Sequence, residues 1–188
     1  MNGLININDI KNGMTIIYDG KLYRVQSFQH VKPGKGAAFM KVKLHNLKTG
    51  ANVEETINSS VKVEKAHVDK KKMTYLYNSG TGYVFMDSET YEQIEVTEDK
   101  LEEEKKFLLE NMEVQLDFYQ GDIIGVTLPE KVEYTVVDTT DAVKGNTTNN
   151  AQKDATLENG YVVKVPLFIQ QGEKVIVSTI DGKYSSRA

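Results

Sequence analysis

Residues 30–39 read His-Val-Lys-Pro-Gly-Lys-Gly-Ala-Ala-Phe, an order that predicts a tight turn joining two strands. Pro33 fixes one backbone torsion, while Gly34 and Gly36 permit the left-handed torsions of such a turn. Lys35 is the only long side chain at the tip. Its ammonium can donate to phosphate or carbonyl oxygens and can be extended covalently by a modifying enzyme. The alternative is an ordinary hairpin whose lysine only keeps the tip in solvent.

The chain around this turn is rich in positive charge. No Asp or Glu occurs from Gly20 to Val53, and the cations of that span are Lys21, Arg24, Lys32, Lys35, Lys41, Lys43 and Lys48. A stretch of one sign creates a positive field that suits a phosphate backbone. We therefore expect Arg24, Lys32 and Lys43 to contact phosphates around the turn.

The charge of the whole chain is uneven. The net charge is −4, but residues 1–64 hold nine Lys or Arg against five Asp or Glu, whereas the remainder holds fourteen against twenty-two. A basic first part on an acidic remainder suggests that one end grips phosphates while the other faces protein or is oriented by repulsion from RNA.

Short apolar segments between turn signals predict an all-β chain. In the first part we expect strands over residues 14–18, 22–27, 39–47 and 51–57, and Val42 and Leu44 alternate with Lys41 and Lys43 as in a half-buried strand. A small closed or nearly closed barrel is the simplest way to pair so many short strands. The change of charge sign near residue 64 and a Leu-Pro-Glu break at residue 128 predict domains over 1–64, 65–128 and 129–188.

One segment favours a helix, over residues 97–111. Thr97 is a candidate N-cap, acidic residues follow it, and Leu101, Leu108 and Met112 fall near one face. We interpret the Glu102–Glu104 run as a solvated helix face, since consecutive helical carboxylates point in different directions and form no metal or acid/base site.

Three further features of the chain each allow two interpretations. The lysines at 70–72 form either a solvated strand edge or an RNA contact. The aromatic side chains Tyr75, Tyr77, Tyr83, Phe85 and Tyr91 form either a core with cross-strand pairs or stacking platforms for bases. The polar stretch 138–155 is either a functional loop or partly disordered.

The sequence lacks the residues that several classes of function require. There is no cysteine, the three histidines lack metal-site or nucleophile–base spacing, and no Gly-Lys-Ser/Thr phosphate loop occurs. Residues 1–14 lack the apolar core of a signal peptide, and no apolar run approaches 18 residues. We expect a cytoplasmic monomer that is not an enzyme, binds no cofactor or metal, and does not associate with a membrane.

The stretch 30–39, with Lys43-Leu44, Asn46-Leu47 and Thr49-Gly50 after it, resembles the first domain of the bacterial elongation factor P family. The resemblance extends through 75–77, 84–87 and 89–94 to a C-terminal pattern formed by Lys153, Ala155, Gly160, Val163, Val165-Pro166, Ile169 and Gly172. It implies three small β-barrels, namely an SH3-like (KOW-type) barrel followed by two oligonucleotide-binding (OB) barrels, with one short helix in the middle domain.

The resemblance also implies a function. Members of this family bind both ribosomal subunits between the peptidyl-tRNA and exit sites and relieve stalling at consecutive prolines. Lys35 corresponds to the loop lysine that reaches the peptidyl-tRNA and is often extended by a lysine-modifying enzyme. Gly145-Asn146-Thr147 replaces a Gly-Asp-Thr loop that faces the small subunit and the messenger RNA, so the turn propensity is kept while the charge is lost.

Two residues near the end of the chain also fit the resemblance. Tyr184 and Arg187 match the family's terminal tyrosine and arginine, which implies RNA or ribosome contact; the alternative there is a frayed tail. Three other functions stay open, namely a general single-stranded RNA-binding barrel protein, a lysine-dependent enzyme, and a divergent paralogue of the same family.

Overall fold

The computed structural model describes residues 3–141 and 151–188, and β-strands dominate both ranges. The first sheet has the strand order β1-β6-β2-β3-β4-β5. Its strands are β1 (Gly3–Asn6), β2 (Thr15–Tyr18), β3 (Lys21–Val31), β4 (Phe39–Asn46), β5 (Asn52–Asn58) and β6 (Lys62–Lys65). A three-residue 3-10 helix, Ile7–Asp9, follows β1.

The second sheet has the order β11-β10-β7-β8-β9 and the third the order β14-β13-β12-β15-β16. The strands of the second sheet are β7 (Asp69–Asn78), β8 (Tyr83–Asp87), β9 (Gln93–Val96), β10 (Glu113–Tyr119) and β11 (Asp122–Thr127). Those of the third are β12 (Lys131–Thr139), β13 (Gln152–Leu157), β14 (Val162–Pro166), β15 (Lys174–Ser178) and β16 (Tyr184–Arg187). The predicted all-β class is confirmed.

The described chain divides into two compact units. One comprises Met1–Lys71 and Leu116–Gly125, and the other Lys72–Gln115 and Val126–Ala188. The division passes through β7, β10 and β11. The domain limits at residues 64 and 128 remain a prediction.

The first sheet encloses its own apolar core, as the alternation along β4 predicts. Met40, Val42 and Leu44 are fully buried, whereas the lysines between them are exposed. The buried members of this core are Ile7, Ile10, Ile16, Tyr23, Val25, Met40, Val42, Leu44, Ile57 and Val63. Strand β3 contains a β-bulge where its pairing with β4 shifts between Val25 and Ser27, and such an extra residue bends the strand.

The α-helix predicted over residues 97–111 is wrong. Two 3-10 helices of three residues occupy the segment, Glu98–Lys100 and Lys105–Phe107, and Thr97 makes no side-chain cap hydrogen bond. Near the end of this segment, groups distant in sequence bond to two backbone carbonyls. The hydroxyl of Tyr134 donates to the carbonyl of Phe107, and the amide of Asn159 donates to the carbonyl of Lys106 over 3.0 Å. An α-helix would direct those carbonyls to its own N–H groups.

The two ends of the polar stretch 138–155 form strands. Strand β12 continues to Thr139, and β13 begins at Gln152. Lys153 and Ala155 are buried, and the Thr139 hydroxyl donates to the carbonyl of Asp154 over 2.8 Å. Ala155 and Leu157 belong to the apolar core of the third sheet, so their alternate positions along β13 place both side chains on the buried face.

Candidate nucleic-acid interface

A projecting hairpin carries the predicted turn. Strands β3 and β4 pair up to His30 opposite Met40 and Val31 opposite Phe39, so residues 32–38 form the connection. The carbonyl of Ala38 accepts from the backbone N–H of Ser59 over 3.0 Å. The hairpin is thus tied to the sheet at its base and leaves its tip in solvent.

Lys35 lies at the exposed tip of this hairpin. Every residue from 32 to 37 is exposed. Gly36 has a φ of +101°, a conformation that favours glycine, whereas Gly34 has no positive φ. Within residues 3–141 and 151–188, no acidic side chain forms an ion pair with Lys32 or Lys35. Both ammonium groups are available to an anion from outside the chain.

Lys43 lies on the outer face of the same sheet. It stands between buried Val42 and Leu44, so its side chain points away from the core. Lys41 occupies the same face two residues nearer the hairpin. The sheet therefore extends the positive surface of the hairpin along β4, with Glu54 opposite Lys43 on the edge strand β5.

Arg24 is not brought to the hairpin. It pairs with His45 on β4 and precedes Val31, the last residue of β3, by seven positions, which is about 23 Å in an extended strand. Its Nη2 lies 3.7 Å from Oδ2 of Asp117, a carboxylate that is 4% exposed. Sequence reasoning missed Asp117 because it sits inside an alternating strand pattern with no local sign of a partner.

The lysine run at 70–72 makes contacts with β10. Lys70 Nζ lies 3.1 Å from Oδ1 of Asp117, Lys71 lies over the ring of Phe118 at 5.2 Å from its centroid, and Lys72 Nζ is 3.2 Å from Oε1 of Glu113. These contacts favour the interpretation of the lysine run as a strand edge over its interpretation as an RNA contact.

The aromatic set divides between core and surface. Tyr75 and Phe85 are buried with ring centroids 5.4 Å apart, and burial raises the pKa of the Tyr75 phenol. The core interpretation is confirmed for these two. Tyr77 and Tyr91 are exposed, and Tyr91 has a φ of +62°, which is unusual for a bulky side chain.

The C-terminal pair lies in a paired strand. Tyr184 and Arg187 begin and end β16, which pairs with β15, so the frayed-tail alternative is wrong. Arg187 Nη2 lies 2.6 Å from Oε1 of Glu173, and the guanidinium carbon is 5.3 Å from the ring centroid of Phe168. Gly145, Asn146 and Thr147 lie outside the described residues.

The run Glu102–Glu104 lies between two 3-10 helices and not, as predicted, on the face of an α-helix; Glu102 and Glu103 are exposed, and Glu104 is half-buried. Lys105 pairs with Glu98 and with Glu102, its Nζ lying 3.2 Å from the Glu102 carboxylate, and hydrogen bonds to both raise the pKa of Lys105. Over the two ranges that the structure covers, no cluster of His, Cys, Asp or Glu could hold a metal ion. In the same ranges, no helix is long and apolar enough to span a membrane.

Comparison with known proteins identifies the class and then the family. Residues 6–63 match a profile described as the elongation factor P (EF-P) KOW-like domain, residues 68–126 the elongation factor P OB domain, and residues 132–187 the elongation factor P C-terminal domain. A KOW-like domain, an OB domain and this C-terminal domain, in that order, define a translation elongation factor. The chain belongs to the elongation factor P family.

Two solved structures are similar to parts of the chain. Eukaryotic translation initiation factor 5A from Methanococcus jannaschii is 25% identical with a TM-score of 0.48, covering 66% of this chain and 94% of its own. A translation initiation factor eIF-5A family protein from Naegleria fowleri is 19% identical with a TM-score of 0.43, covering 68% and 99%. At these TM-scores neither likeness carries an argument.

Proposed function

We propose that this protein binds the ribosome between the peptidyl-tRNA and exit sites and stimulates peptide-bond formation at consecutive prolines. The observation that supports this most directly is Lys35, an exposed cation at the tip of a hairpin on a basic sheet, which forms no ion pair with any residue that the structure describes. Membership of a translation factor family supplies the context.

The role of Lys35 is to order the reactants at the end of the peptidyl-tRNA. Proline reacts poorly because its ring constrains the backbone, and a correctly held tRNA end lowers the entropic part of the barrier. A tenfold acceleration requires about 1.4 kcal/mol, which two or three charge-assisted hydrogen bonds can supply. No proton transfer by Lys35 is needed.

The hairpin geometry also suits a lysine-modifying enzyme. Pro33, Gly34 and Gly36 carry no long side chains, so an enzyme can enclose Lys35 without a clash from its neighbours. A covalent extension would lengthen the reach of the side chain and add donors for the tRNA.

The remaining contacts of the proposal come from the family resemblance and from the charge of the side chains. Lys32 and Lys43 bind phosphates beside the hairpin and along β4. Gly145, Asn146 and Thr147 face the small subunit and the messenger RNA, and Tyr184 and Arg187 contact ribosomal RNA or protein. Arg24 was predicted with the phosphate contacts, and its position beside Asp117 supports a different role.

The test is a translation system that lacks the endogenous factor and synthesises a reporter with three consecutive prolines. The natively produced protein should restore full-length product, and Lys35→Ala should not. Lys48→Ala is the matched control, because Lys48 is an exposed turn lysine at the other end of β4. Equal rescue by the Lys35 and Lys48 variants would refute the role of Lys35.

A second measurement separates phosphate contact from peptidyl transfer. Lys32→Ala should weaken ribosome binding and lower the slope of log affinity against log salt by about 1, as expected for the loss of one phosphate contact. Binding of free single-stranded RNA at physiological salt, without proline rescue, would instead favour a general RNA-binding protein.

A further inference from the structure

We propose that Arg24 is a positioning residue, which acts through Asp117 to fix the segment 116–125 on the first sheet and so steadies the strand that carries the Lys35 hairpin. The part that concerns Lys35 rests on the proposed function. The part that concerns Asp117 does not.

Asp117 is a buried carboxylate held by two cations. It is 4% exposed, with Arg24 Nη2 3.7 Å from Oδ2 and Lys70 Nζ 3.1 Å from Oδ1. A carboxylate in this position is stable only while it is compensated, because an unpaired buried charge is costly. Arg24 and Lys70 approach different oxygens of this carboxylate.

Because Gly125 has no side chain, the guanidinium of Arg24 can lie close to its backbone. A Cβ atom at this position would clash with Nη2 of Arg24. The backbone of Gly125 has no positive φ, so the turn geometry does not require a glycine there. The close approach of the guanidinium gives a reason for glycine at this position.

Apolar packing holds the same segment, but with less directional specificity. Ile124 forms a buried cluster with Leu22, Leu47 and Ala66, and Tyr119 packs against it. Hydrophobic contact is roughly proportional to area and tolerates small slips, whereas an ion pair inside a buried site depends on geometry. The Arg24–Asp117 pair therefore adds a directional contact to the apolar cluster.

Strand β3 connects this pair to the hairpin. Arg24 lies in the first half of β3, and the Lys35 hairpin follows its last residue, Val31. A phosphate at Arg24 would have to compete with the buried carboxylate of Asp117. The two roles for Arg24, positioning and phosphate contact, consequently predict different outcomes.

The experiment is a double-mutant cycle on the full chain, read by hydrogen exchange of the amides in residues 116–125. Arg24→Met and Asp117→Asn should each accelerate that exchange at least tenfold, and the double variant should be no faster than the faster single variant. Lys62→Met, which removes an exposed cation from the same sheet, should leave the exchange unchanged. Multiplicative effects of the two substitutions would overturn the proposal.

Gly125→Ala tests the same arrangement without removing a charge. Its methyl group displaces only the flexible end of Arg24, so the chain should fold, yet the exchange of residues 116–125 should rise as it does in Arg24→Met. Exchange at the wild-type rate in this variant would show that the position of the guanidinium is unimportant.

Ribosome binding supplies the readout that separates the two roles of Arg24. Arg24→Met should leave the salt slope of binding unchanged, in contrast to Lys32→Ala, and Arg24→Lys should restore part of the exchange protection. A slope lowered by about 1 in Arg24→Met would identify a phosphate contact and refute the positioning role. If the protein bound no ribosome, the exchange cycle would still decide the structural part.

Discussion

Tyr134→Phe tests the tertiary bond that replaces the expected helix. Tyr134 is fully buried, and its hydroxyl donates to the carbonyl of Phe107. The substitution removes one oxygen and leaves that carbonyl without this donor inside the protein. We expect the free energy of unfolding to fall by about 1–3 kcal/mol, which at a urea slope of about 2 kcal/mol/M lowers the midpoint by about 0.5–1.5 M.

The pH dependence of this loss has a definite sign. Burial raises the pKa of the Tyr134 phenol above its ordinary value of 10.0. The folded chain therefore keeps a proton that the unfolded chain loses above pH 10, and this stability is complete below pH 10 and declines as the pH rises further. The difference in midpoint between wild type and Tyr134→Phe should narrow above pH 10.

The assay is urea unfolding followed by circular dichroism, since the chain has no tryptophan. Tyr91→Phe is the matched control, because Tyr91 is 71% exposed and its loss of a hydroxyl should change the free energy by less than about 0.5 kcal/mol. Equal midpoints for Tyr134→Phe and Tyr91→Phe at pH 7 would refute the argument. A difference in midpoint that widens above pH 10 would refute the assigned protonation.

Two further pairs of substitutions test the turns of the first sheet. Gly36→Ala places a side chain at a φ of +101° and should cost about 1–2 kcal/mol, whereas Gly34→Ala, with open space around it, should be neutral or stabilising by up to about 1 kcal/mol; similar urea midpoints for the two variants would contradict this. Asn46→Ala removes the buried oxygen that accepts from the N–H groups of Lys48 and Thr49 at 2.9 and 3.0 Å and should cost about 1–2 kcal/mol. Asn58→Ala, the exposed counterpart at the end of β5, should cost less, and thermal unfolding that ranks these two variants in the opposite order would refute the burial argument.

The hairpin of residues 30–39 could be predicted from the sequence because its causes are local. Proline and glycine set the backbone torsions, and alternation along β4 decides which side chains face the core. The charge of the region is a property of composition, so its suitability for phosphate is also visible in the sequence. The same is true of the all-β class and of the family resemblance.

The segment 97–111 does not adopt the structure that its local pattern favours. Its cap residue and apolar spacing favour an α-helix, but Tyr134 and Asn159 bond to the carbonyls of residues 106 and 107. Helix propensity amounts to tenths of a kcal/mol per residue, so hydrogen bonds from distant residues, one of them buried, can outweigh it. No sequence pattern within the segment indicates that Tyr134 and Asn159 will bond to it.

By itself the sequence determined the strands, the lysine-tipped turn and the basic character of the first part, since each depends on neighbours a few positions apart. Only the tertiary structure decided that Arg24 faces Asp117 and Gly125, and that Lys35 remains without an ion pair among the described residues. The physical reason is that the role of a charged side chain depends on which opposite charges folding brings within a few ångströms of it, and those come from anywhere in the chain.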